Sequence, residues 1–118
     1  MPRKTFRNKI TSSEITEKIN PKNLELVKRF LKEKSTRTSD KTIVVYDSNL
    51  LIFLTWNYLH NDNKFFIDIK KLEFADFFSF AVDELKLGSA KLNNMRSVLS
   101  SFSNFIDKFF KILSSILI

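Results

Sequence analysis

Residues 34–42, KSTRTSDKT, put five hydroxyl side chains among three cations and run directly into a helical pattern. The chemistry this composition suits is the holding of a phosphate. A helix N-terminus presents unpaired backbone N–H groups and a partial positive charge. Ser39 or Asp40 as cap, Arg37 and Lys41 beside it and Thr42 in the first turn would complete an anion-holding set. The same residues also describe an ordinary capped helix after a solvated loop. Charge distribution favours the first reading. Residues 1–41 hold 12 Lys and Arg against five Asp and Glu, residues 42–118 hold eight of each, and the formal charge of +7 is therefore local. A one-sided basic region concentrates polyanions, of which nucleic acid is the usual partner.

A second set lies between residues 89 and 100. Ser89, Lys91, Asn93, Asn94, Arg96, Ser97 and Ser100 stand at outward positions at the start of a helical pattern. Lys and Arg suit phosphates and guanine edges, Asn pairs with adenine, and small hydroxyl residues let a backbone approach closely. Such a face fits a major groove, or is simply solvated. The candidate DNA contacts are thus Arg37, Lys41, Thr42, Ser89, Lys91, Asn94, Arg96 and Ser97, with the cations on phosphates and Asn94 as base reader.

Other chemistry finds little support. Cysteine is absent, His60 is the single histidine, Tyr46 and Tyr58 are the two tyrosines, and Asp83 and Glu84 point to different sides of their helix. No Cys or His cluster offers zinc ligands, and no glycine-rich loop cradles a nucleotide. The expectation is a chain with no catalytic residue, no metal, no cofactor and no small-molecule substrate.

These residues need a scaffold. A chain of 118 residues closes one hydrophobic core. With one Gly and two Pro, the periodic segments between breaks are long, which predicts an all-α domain. A basic arm, residues 1–20, holds a helical turn near 13–19. Asn20 and Pro21 then cap and open a helix to about residue 33, with Leu24, Val27, Phe30 and Leu31 inward. The second helix, about 40–59, carries Thr42, Tyr46, Leu50 and Phe53 as a buried ladder, although the β-branched TIVVY run also admits a strand. Polar turn residues crowd 61–63, and Phe65, Phe66, Ile67 and Ile69 pin the following loop. A third helix, about 71–87, buries Phe74, Phe77, Phe78, Ala81 and Leu85. Gly88 is placed as its C-cap and Ser89 as cap of a fourth, about 90–113, which buries Leu92, Met95, Leu99, Phe102, Ile106 and Phe109. The domain is expected to span 21–113, with 114–118 as an apolar tail. The start has no apolar run of a secretory signal, and FFKILSSILI is too short to cross a bilayer.

Three stretches, KTIVVYDSNLLIFLTW, FIDIKKLEFADFFSFAVDEL and LGSAKLNNMRSVLSSFSNFI, resemble the amino-terminal core-binding, or SAM-like, domain of tyrosine recombinases and phage integrases. The similarity covers about residues 23–110. Thr42, Tyr46, Leu50 and Phe53 match the family's second-helix ladder, and Ile69, Glu73, Phe74 and Phe77 match its third helix, with Lys70 where a capping hydroxyl is usual. Ser89, Lys91, Arg96, Leu99 and Phe102 fit the fourth. The resemblance implies a small four-helix SAM-like orthogonal bundle that grips one face of a recombination site. A separate catalytic domain, which this chain lacks, would perform DNA recombination or integration. It implies double-stranded DNA as partner, a recombinase catalytic domain or further protomers beside it, and a cytoplasmic, nucleoid-associated location. The rival from another class is a protein–protein adaptor that self-associates through the apolar C-terminal helix. Peripheral membrane attachment through the basic arm and tail is a second rival.

Overall fold

The computed structural model describes residues 13–117. Most of the expected basic arm, residues 1–12, and Ile118 of the expected tail lie outside them. The chain forms α1 (Ser13–Lys18), α2 (Pro21–Ser35), α3 (Asp40–His60), a 3₁₀ turn (Phe66–Asp68), α4 (Lys71–Asp83) and α5 (Ser89–Leu117). The fold is all-α, with no strand among the described residues, and the TIVVY run lies inside α3.

Local chemistry explains most boundaries. The Asn20 side chain accepts from the Lys22 N–H at 3.0 Å ahead of Pro21, and Ser39 accepts from the Thr42 N–H at 3.2 Å. These caps satisfy helix N–H groups that would otherwise lack partners. The core is built from rings: Phe30, Phe53, Phe77 and Phe102 are fully buried, with Leu50, Leu54 and Met95 between them. Phe53 sits at the centre, 5.2 Å from Phe74 and 5.0 Å from Phe77 between ring centroids.

The ladder divides in two. Leu50 and Phe53 are core, whereas Thr42 and Tyr46 are half-buried, Tyr46 stacking on Phe30 at 5.9 Å. Truncation of a half-buried ring removes less apolar contact than truncation of a core ring. Tyr46→Ala is therefore expected to cost about 1–3 kcal/mol in urea unfolding, below the roughly 3–5 kcal/mol of a fully buried aromatic.

Several expected boundaries shift. α4 ends at Asp83, four residues early, because Lys86 takes the left-handed conformation (φ 57°) and the Leu87 N–H returns to the Ala81 carbonyl at 3.1 Å. Gly88 is not that cap: its φ is not positive, and a Cβ there would meet nothing within 4 Å. Its carbonyl instead accepts the Leu92 N–H at 3.0 Å, so Ser89 is the first residue of α5 rather than its cap. α5 runs through to Leu117, so residues 114–117 continue the helix rather than forming a separate tail. At the other end, Ile19 is 1% exposed, so packed structure begins before residue 21. Ile67, expected to pin its loop, is exposed, while Phe66 and Ile69 are buried.

Asparagines lock the α3–α4 connection to the start of α2. Asn23, fully buried, donates to the Lys64 carbonyl at 2.8 Å and accepts from the Phe66 N–H at 2.7 Å. Asn57, also fully buried, donates to the same Lys64 carbonyl at 2.9 Å. Asn63 accepts from the Asn20 N–H at 2.9 Å and donates to the Lys18 carbonyl at 3.0 Å. Asp62 and Asn63 take positive φ, 59° and 52°, which these short polar residues tolerate better than most.

Lys70 has no acceptor with which to cap α4, so only the return half of a capping box exists: Glu73 accepts from the Lys70 N–H at 2.8 Å. Glu73 also pairs with Lys64. The Lys64 ammonium, and then the Lys70 N–H, hold the Glu73 carboxyl below its ordinary value, and the same hydrogen bond raises Lys64 above its own. A carboxyl lowered on folding contributes stability above its unfolded value of about 4.3 and loses it as pH falls through the lower folded value. Glu73→Gln is accordingly expected to be less stable than the parent near neutral pH. That gap should close in urea unfolding well below pH ~4, where both side chains are neutral.

Candidate nucleic-acid interface

The N-terminal parts of α3 and α5 lie side by side and enclose a cleft of about 400 Å³. Lys41, Thr42, Val45 and Tyr46 line it from α3, and Asn94, Ser97 and Val98 from α5. Residues three and four apart share a helix face, which is why Thr42 and Tyr46 meet Asn94, Ser97 and Val98 across the seam. Four predicted contacts from segments fifty residues apart are thereby brought together.

The α3 end itself is already complemented. Ser39 takes the Thr42 N–H and lies 3.0 Å from the Thr42 hydroxyl, and Asp40 places a carboxylate in the first turn. An anion there competes with a phosphate for the helix dipole. The helix end is thus less suited to hold a phosphate than the side chains around it.

Arg37 lies in a neighbouring cleft of about 200 Å³ with Lys34, Ser101, Asn104 and Lys108, and it pairs with Glu33 on its own side. The two clefts are joined by α5. Asn94, Ser97, Ser101, Asn104 and Lys108 recur at steps of three, four, three and four, which sets them within about 80° on the helix. This polar stripe spans about 21 Å, the axial rise of roughly six base pairs. Lys34, Arg37 and Lys41, from the corner between α2 and α3, flank it along its length.

Three predicted residues fall elsewhere. Ser89 is exposed at the first position of α5. Lys91, expected to face solvent, is half-buried and donates to Asn49 at 2.8 Å. Asn49 is fully buried, its amide nitrogen finds no partner among the described residues, and the lysine thus serves the α3–α5 seam. Arg96 is exposed on another side of α5, its guanidinium 4.9 Å from the Phe78 ring centroid, in a cleft with Lys71, Phe74 and Ser100.

Sequence reasoning missed Lys34, Ser101, Asn104 and Lys108 as partners of Asn94 and Ser97. For Ser101, Asn104 and Lys108 the signal was present in the continued three-four spacing beyond Ser97, and Lys34 opens the basic loop itself. Among the described residues, no cluster of three His, Cys, Asp or Glu side chains is placed to hold a metal ion, and no helix is long and apolar enough to cross a membrane. Comparison with family models, with curated proteins and with solved structures finds no match to this chain.

Proposed function

We propose that this chain is a DNA-binding helical module that grips the duplex backbone, working as the core-binding domains of tyrosine recombinases do. The observation that supports it is the polar stripe of α5, which ends in Lys108 and is flanked by Lys34, Arg37 and Lys41. Cations separated along one groove match the spaced charges of a phosphate backbone, and amides and hydroxyls between them supply neutral hydrogen bonds to backbone or base edges. Asn94, exposed beside Lys41, is the base reader on this assignment. The module positions DNA and performs no chemistry on it. Strand exchange falls to a recombinase catalytic domain or to other protomers, and the site of action is the nucleoid.

Fluorescence anisotropy of a labelled random-sequence duplex tests this directly. With four to six phosphate contacts, affinity is expected to fall about a hundred- to a thousand-fold between roughly 50 and 200 mM salt. Absence of binding at the lower salt, or binding indifferent to salt, would remove DNA as the partner.

A further inference from the structure

Past Ile106, α5 becomes an apolar overhang on which Phe110, Ile112 and Ile116 are exposed. Charge and aromatic surface meet earlier, where the first half of α5 runs beside α4. The open cleft between them measures about 480 Å³, within the range of sites that hold small ligands. Lys71, Phe74 and Phe78 line it from α4, and Arg96, Ser103 and Asn104 are among its α5 residues. Phe74 is half-buried and lies nearly parallel to Phe53, at 5° and 5.2 Å, so one face of its ring is held while the ring still borders the cleft. Arg96 is steadied over Phe78, 4.9 Å from the ring centroid. Lys71 and Arg96 are exposed, and among the described residues neither has an ion-pair partner and no acid lines the cleft.

Unpaired cations beside fixed aromatic rings suit a ligand that joins negative charge to a flat ring, which is the chemistry of a nucleotide. The hydroxyl of Ser103 and the amide of Asn104 offer partners for the edge of a base. Asn104 also lines the neighbouring cleft with Lys34, Arg37 and Lys108, so a strand lying along the polar stripe reaches this cleft across a single residue. We infer that the α4–α5 cleft holds an unpaired nucleotide, its base stacked on Phe74 and its phosphate between Lys71 and Arg96. The inference deepens the DNA reading and rests on it for the kind of nucleic acid. A paired base has both faces covered by its neighbours in the stack and cannot enter, so the cleft takes no part in holding an intact duplex. It recognises instead a bulge, a gap or a frayed end.

Fluorescence anisotropy with the full chain tests this on a labelled paired duplex, the same duplex with a short adenine bulge, and the same bulge stripped of its bases. The adenine bulge is expected to bind about tenfold more tightly than the paired duplex, and the preference should vanish when the bases are removed. Lys71→Ala and Arg96→Ala, both at exposed positions, should each reduce the preference to about threefold or less with affinity for the paired duplex unchanged. Equal affinity for bulged and paired duplex overturns the inference and leaves the DNA reading standing. Binding to none of these DNAs overturns both. A preference kept by the bulge without bases, or kept in full by both variants, means that bending or charge is read rather than a held base, and overturns the cleft as its site.

Discussion

Replacing Asn23 by Ala is expected to destabilise the fold by about 2–6 kcal/mol, a large share of the 5–15 kcal/mol typical of a whole domain. The side chain is fully buried and meets two backbone groups at once, the Lys64 carbonyl and the Phe66 N–H. Each buried group left without a partner costs roughly 1–3 kcal/mol. The Lys64 carbonyl retains its bond from Asn57, which pulls the cost toward the lower end, whereas Phe66 packs in the core and brings its N–H no nearer to water. Asn23→Asp should be instructive beside it: the acceptor to Phe66 survives, the donor to Lys64 is lost, and a charge is buried. Urea unfolding monitored at Trp56, which is itself buried, reads both variants. An Asn23→Ala midpoint equal to the parent's would mean that the asparagine bonds are not made in solution.

Removing Lys34, Arg37, Lys41 and Lys108 together by substitution with Ala should nearly abolish DNA binding. Four phosphate contacts contribute about 3–4 to the slope of log affinity against log salt, so their loss is worth roughly a thousand-fold or more at moderate salt. These side chains lie at the surface or half-buried on its edge, and substitution there leaves the core intact. The discriminating control is Arg96→Ala. It removes one positive charge, as Lys41→Ala does, but from another side of α5, over Phe78, and should leave the slope unchanged. A slope that falls equally for Arg96→Ala and for Lys41→Ala would mean that net charge alone drives binding and that the groove has no special part in it.

The fold was legible where one periodicity dominated. The three-four spacing of Leu24, Val27, Phe30 and Leu31, and of Met95, Leu99, Phe102 and Ile106, announced two helices, and Asn20–Pro21 and Ser39 announced two helix starts. The end of α4 was not legible, because the left-handed residue is Lys86 and the glycine two positions later does not need its freedom. Lys91 was misplaced for a related reason. A lysine on a polar face reads as solvated until the facing helix is known to bury Asn49 beneath it. The asparagine clasp was invisible as a unit, since its members are spread from Asn20 to Asn63 and each alone reads as a turn residue. The candidate site was half legible: its loop and its helix start were identified separately, and only packing shows that Lys41 and Thr42 face Asn94 and Ser97.

α5 carries both the polar stripe and the apolar overhang on one uninterrupted rod of 29 residues with neither glycine nor proline inside it. Their angular relation is therefore a matter of residue count. One residue inserted after Lys108 would advance everything beyond it by about 1.5 Å and turn it by about 100°, aiming the overhang away from its present direction while leaving the stripe untouched. Seven inserted residues, close to two full turns, would return the direction and lengthen the rod by about 10 Å. The helix thus acts as a phase-setting gauge between its polar stripe and its apolar far end.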